Sequence, residues 1–154
     1  MCSIAFASLS GPFLDRIDLY FDTPPVTAVD LALPPPSEGT AEARARVAVA
    51  RNIQADRFGE TGDDTRRPVN ADAPLPELEK VARPDQPGGV LLADAAGRLN
   101  LTARGYSRVL KVARTIADLD GSDGVRRVHI AEALSYRQRP AGQGEGVNAQ
   151  AMAR

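Results

Sequence analysis

Apolar and polar positions in this chain fall into stretches of different period. Between Gly11-Pro12 and Pro24-Pro25, Ile17, Leu19 and Phe21 alternate with Asp18, Tyr20 and Asp22. That two-residue period predicts a short strand with one buried face. Residues 27–37 contain Pro34, Pro35 and Pro36 and read as an extended connector with no helix of its own. Thr40 is then placed to cap a run over residues 41 to about 58, where Ala43, Val47, Ala50, Ile53 or Gln54, and Phe58 recur at helical spacing. Residues 59–74, dense in Gly, Asp, Thr, Arg and Pro, read as a mobile loop.

Beyond that loop the helical period dominates. Residues 75–82 allow a short helix at best, broken by Pro84 and Pro87, and residues 89 to about 98 allow another that stops near Gly97 or Asn100. Thr102 opens the longest periodic segment. Tyr106, Val109, Leu110, Ala113, Ile116 and Ala117 form its apolar stripe, Arg104, Arg108, Lys111 and Thr115 occupy another face, and Asp120-Gly121-Ser122 ends it. A last helix over about 127–137 is predicted to bury Val128, Ile130 or Ala131, and Leu134. Residues 138–154, rich in Gly, Gln and Ala without apolar period, are predicted to be disordered. The fold class is therefore mainly α, a helical bundle preceded by one short strand and a Pro-rich connector.

Composition narrows the function classes. Aromatics make up 5% of the 154 residues and tryptophan is absent, so the core leans on small aliphatic side chains. Cys2 and His129 are the only residues of their types and lie far apart, which excludes a disulfide framework and a Cys/His metal cluster. A reducing, cytoplasmic setting fits best. No apolar run approaches a membrane span, and Ile4-Ala5-Phe6-Ala7 lacks the length and basic flank of a signal peptide. The net charge of −1 gives no support for nucleic-acid binding, but it is unevenly spread. Residues 1–97 carry 9 basic and 15 acidic side chains and residues 98–139 carry 9 and 4, so the later segment is the one suited to an anion.

Two arginines stand out chemically. Arg104 would lie in the first turn of a helix, where the dipole disfavours a cation by a few tenths to about 1 kcal/mol unless an anion is near. The free N–H groups of that turn would complement such an anion. A solvated surface arginine is the plainer reading. Arg16 stands between Asp15 and Asp18, and its alternatives are a local ion pair or a guanidinium presented at an edge to a phosphate. Arg108, Lys111 and Arg114 read as a solvated face, His129 as a surface or half-buried residue, and Cys2 as inert. Asp118, Asp120 and Asp123 lack the order of a calcium loop. No G-x-x-x-x-G-K-[ST] phosphate loop occurs in the chain.

Two long phrases carry a resemblance. Ser10-Gly11-Pro12-Phe13-Leu14-Asp15-Arg16-Ile17-Asp18 is similar to the phrase that ends the ATPase core of the magnesium chelatase-like AAA+ ATPases of the ComM/YifB branch. Val112-Ala113-Arg114-Thr115-Ile116-Ala117-Asp118-Leu119-Asp120-Gly121, with His129-Ile130-Ala131-Glu132-Ala133-Leu134 and Tyr136-Arg137, resembles that family's C-terminal helical lid. The resemblance implies a remnant of the AAA+ core at 1–26, a connector, helix and loop at 27–74, the lid domain at 75–137, and a tail at 138–154. It also implies that Arg16 matches an arginine finger and Arg104 a sensor-2 arginine that reads nucleotide. The parent would use ATP and magnesium, assemble with neighbouring AAA+ subunits in a ring, and remodel DNA in recombination or transformation. The family's phosphate loop, acidic strand and first sensor would precede residue 1, and residues 1–8 do not match the family's upstream segment. A trailing piece of a motor, without ATPase activity alone, is the expectation. The alternatives are a stand-alone helical interaction module, docking through the stripe of its longest helix, and the lid of a metal-chelatase motor subunit.

Overall fold

Helix periodicity translates into five helices among the residues that the computed structural model describes, namely 16–21, 23–34, 37–59 and 68–137. They are α1 (Thr40–Phe58), α2 (Leu75–Val81), α3 (Gln86–Arg98), α4 (Ala103–Leu119) and α5 (Arg127–Ser135), after a 3-10 turn at Asp30–Ala32. The Gly11-Pro12 turn, Asp22, most of the predicted loop and the tail after Arg137 lie outside the described residues. No described helix is long and apolar enough to cross a membrane.

α4 is the axis of the bundle, and local chemistry fixes both its ends. The Thr102 hydroxyl accepts the Gly105 N–H at 3.0 Å, satisfying one of the four donors that a helix start leaves without partners. At the other end Gly121 takes φ 68°, a left-handed conformation that lets the Ser122 N–H return to the Ala117 carbonyl at 2.8 Å. Between these ends Val109, Leu110, Ala113 and Ala117 are buried, and α1, α2 and α5 pack around the helix. α3 packs instead on α5, contributing Leu92, while α2 contributes Leu78 and α5 contributes Ile130, Ala133 and Leu134. Ile116 is half-buried against this core, whereas Tyr106 lies at its rim with 38% of its surface exposed. Thr102→Ala is expected to lower stability by about 1 kcal/mol. In a domain of this size that is a fall in Tm of about 4–8 °C, with Thr102→Ser near the parent value, as checked by thermal melts followed by circular dichroism.

Several elements depart from the pattern. Residues 17–21 form no strand: the Tyr20 N–H bonds the Tyr136 carbonyl at 2.9 Å, and no neighbouring strand is present among the described residues. Alternation specifies a face, but a strand needs a ladder partner. α3 begins at Gln86, earlier than residue 89, because Asp85 caps it by accepting the Gly88 N–H at 2.8 Å. Pro87 sits in that first turn, where a missing N–H costs nothing. In α5 the inward face carries His129, not Val128, which is 56% exposed. The connector contains a turn because the Asp30 carboxylate accepts both the backbone N–H and the hydroxyl of Thr27, at 2.8 and 2.7 Å. Those bonds, the backbone one foremost, hold the Asp30 carboxyl below its usual range. Val69, Asn70 and Ala73, at the end of the predicted loop, are buried.

Candidate functional site

Arg104 occupies the first turn of α4 and is exposed. Among the described residues its guanidinium has no hydrogen-bond or ion-pair partner, and the same holds for Arg16, which is also exposed. Thr102 uses the Gly105 N–H, while the amides of Ala103 and Arg104 have no acceptor among the described residues. Positive charge and free donors thus coincide at one end of the longest helix.

The segment bearing Arg16 lies against that same end. Asp18 forms an ion pair with Arg108, one turn along α4 from Arg104. The Arg137 Nη1 donates to the Ile17 carbonyl at 2.5 Å, and the Arg137 guanidinium lies 5.7 Å from the centroid of the Tyr20 ring. Phe21 and Tyr136 approach with ring centroids 5.1 Å apart. Gly105, next to Arg104, is buried because Arg137 crosses over it: a Cβ there would lie 3.3 Å from Arg137 Nη2. Beneath the segment is an apolar pocket of about 340 Å³, lined by Leu19, Phe21, Val112, Ile116, Leu119 and Tyr136 among others.

A second constellation is buried in the other half of α4. Arg114, read from the sequence as part of a solvated face, is 1% exposed, as is Asp118 one turn on. Arg114 donates to Asp118 at 2.8 and 3.0 Å and to the carbonyls of Ser122 and Asp123 at 2.6 and 2.8 Å. Asp118 also accepts from Arg57 of α1 and from the Asn70 amide, the latter at 2.7 Å. Burial pushes the Asp118 carboxyl up, but the hydrogen bonds from Arg57 and Asn70 and the two guanidinium charges together outweigh it and hold the group below the usual carboxylate range. Burial in turn lowers Arg114, opposed by Asp118. Arg57 and Asn70 carried no signal of their own. Arg114 carried a weak one: on the helical wheel it borders the apolar stripe, about 40° beyond Leu110.

His129, expected at the surface or half-buried, is 2% exposed. Its Nδ1 accepts the Arg126 backbone N–H at 3.0 Å, capping α5, so Nε2 carries the proton toward Asp120 Oδ2 at 3.2 Å. The Ser122 hydroxyl, then His129 and Arg126, hold the Asp120 carboxyl low. Asp118 and Asp120 therefore serve separate clusters. Among the described residues no three His, Cys, Asp or Glu side chains converge as a metal would require.

The profile of the family described as magnesium chelatase, subunit ChlI C-terminal, matches residues 37–137, about two thirds of the chain. The chain belongs to this family. Within the ChlI C-terminal family its relatives are of the ComM/YifB kind. It is 38% identical over 130 residues to the competence protein ComM of Haemophilus influenzae, covering 84% of this chain and 24% of ComM. The YifB protein of Escherichia coli gives the same identity and coverage, and the Rv2897c protein of Mycobacterium tuberculosis is 37% identical over 130 residues. The chain thus spans about a quarter of the length of these relatives. The family's matched region includes the half-buried Arg57 and the buried Asn70, Arg114 and Asp118 as well as Arg104, whereas Arg16 lies before it.

Proposed function

We propose that residues 16–137 form the lid and subunit-facing part of a ring-forming ATPase of the ComM/YifB kind. Arg104 senses the terminal phosphate of its own subunit's nucleotide, and Arg16 acts as an arginine finger on a neighbour's. The observation that carries this reading is the Asp18–Arg108 ion pair, which sets the Arg16 segment against the helix that starts at Arg104, whose guanidinium has no partner among the described residues. Guanidinium suits both roles, since its planar fork can pair two phosphate oxygens and it keeps its proton. ATP with magnesium would supply the phosphoryl group and part of the charge neutralisation. The described residues fit an edge of such a site: one cationic helix start, with neither a phosphate loop nor a set of carboxylates for magnesium. The remainder belongs to a core this chain does not contain.

The 154-residue chain is accordingly expected to show no ATPase activity and no micromolar ATP binding by calorimetry. A low-micromolar Kd would overturn the assignment. In the full-length ring, Arg104→Ala should lower turnover about 10- to 100-fold, the equivalent of one hydrogen bond to a charged group. ComM is named a competence protein. On that footing we extend to the parent of this chain a cytoplasmic role in processing DNA during transformation or recombination, which strand-exchange assays on the full-length protein would test.

A second reading, a stand-alone interaction module, needs an open docking face. Val109, Leu110, Ala113 and Ala117 of the α4 stripe proposed for that purpose are covered by α1, α2 and α5. The most open large apolar side chains among the described residues are those of Phe21, Val26, Val29, Leu31 and Leu33, each more than 60% exposed. Pull-down of a partner lost on Leu31→Asp, with no effect of Arg104→Ala, would favour this reading.

A further inference from the structure

We infer that Asp18 and Arg137 are positioning residues that tie Arg16 to the lid, so that a subunit's finger is aligned for its neighbour only when its own lid is in place. The inference rests on the functional reading above and adds its regulation. Residues 16–21 have no strand partner among the described residues, and Arg16, Asp18, Leu19 and Phe21 are exposed. An apolar pocket of about 340 Å³ lies under them in place of a filled core. Directed contacts hold the segment, and among the described residues these end on the lid: Asp18 on Arg108, the Ile17 carbonyl on Arg137, the Tyr20 N–H on the Tyr136 carbonyl, and Phe21 on the Tyr136 ring.

Arg137 joins the two arginines most directly. One of its guanidinium nitrogens holds the carbonyl of Ile17, the residue after Arg16, and the other lies over Gly105, the residue after Arg104. Any shift of the start of α4 is passed through one rigid, planar group to the backbone that carries Arg16. Exposed ion pairs contribute little to stability, so the selective value of these contacts is geometric. A misplacement of about 1 Å can cost a reaction about 100-fold, which is the scale on which a loosened finger should be felt.

Two measurements test this. In the 154-residue chain, the Tyr20 amide should be protected from hydrogen exchange, and Arg137→Ala should abolish that protection while the α4 amides keep theirs. In the full-length ring, Asp18→Ala and Arg137→Ala should each lower kcat about 10- to 100-fold with KM for ATP within about twofold. Exchanging the pair, Asp18→Arg with Arg108→Asp, should recover most of the loss, which a general folding defect would not allow. In rings mixed with unmodified subunits the defect should fall on the neighbour's nucleotide. An unprotected Tyr20, or turnover within about twofold in both variants of a ring that Arg16→Ala silences, overturns the coupling and leaves the lid assignment standing. An inert Arg16→Ala overturns the finger role of Arg16, and the coupling with it.

Discussion

Arg16→Ala in the full-length ring is expected to lower ATP turnover about 10³-fold or more while ATP affinity and the monomer's fold stay nearly unchanged. The size follows from where the charge acts. A finger touches the transition state, so its removal raises the barrier by about 4 kcal/mol, the equivalent of 10³ in rate. Arg16 is exposed and without a partner among the described residues, so its truncation removes no packing from the lid. A surface ion pair with a nearby aspartate would behave oppositely, changing stability by at most about 1 kcal/mol and turnover hardly at all. Rings that mix Arg16→Ala subunits with subunits defective in the phosphate loop should recover activity, because a finger works across the interface. If Arg16→Ala and Arg104→Ala both stay within about twofold of the parent turnover, roughly half a kcal/mol, the motor role of these residues is wrong and only the helical fold remains.

Asp118→Ala is expected to destabilise the domain by about 3–5 kcal/mol, because it leaves two guanidinium groups facing each other with no anion between them. Against a total stability of about 5–15 kcal/mol for a domain, that is enough to unfold much of the population near body temperature. Urea denaturation followed by circular dichroism measures it, and a loss below about 1 kcal/mol would show that Arg57 and Arg114 find other partners. The pH dependence has a definite sign. The Asp118 carboxyl is held lower in the folded chain than its ordinary 3.8. Its contribution is therefore complete above about pH 4 and is lost as pH falls through the depressed folded value. Asp120 and Asp30, also held low, act in the same direction over the same acid window. Asp118→Asn should flatten the acid limb of the stability curve while lowering its plateau.

The helices were legible wherever side-chain period and cap chemistry agreed, as in α4, where Thr102 and the stripe through Val109, Leu110 and Ala113 each point to the same element. Legibility failed where a residue's meaning depended on a partner distant in sequence. Pro87 looks like a breaker until Asp85 is recognised as the cap that places it in the first turn. Ile17, Leu19 and Phe21 alternate as a strand would, yet nothing beside them completes a ladder. Arg114 and Asp118 lie beside the apolar stripe of α4, and a charge there reads as solvated unless Arg57 and Asn70, 61 and 48 residues from Asp118, are known to meet it. His129 is drawn inward by a backbone N–H three residues earlier, which no hydrophobic period records. Arg16 and Arg104 could be singled out as candidates from residue type and position, and the contacts of Arg137 that relate their backbones could not.

The order of assembly of this domain is written into the approach of α3 to α5. Gly88 has room for no side chain: a Cβ would stand 2.6 Å from Asp85 Oδ1 and 3.3 Å from the Arg127 Cα, so the first turn of α3 rests on the backbone that begins α5. The Asp85 N–H completes that seat on the Val125 carbonyl at 2.8 Å. α4 and α5, joined by a tight turn, can meet through contacts local in sequence, which close quickly. α3 has no seat until that hairpin exists, and α1 gains its Asp118 anchor only once α4 is placed. Emerging from a ribosome, where the N-terminal segments appear first, α1 and α3 must wait, with apolar faces uncovered, for the last helix to be made. A chain cut short before Val125 would leave those faces for chaperones to hold.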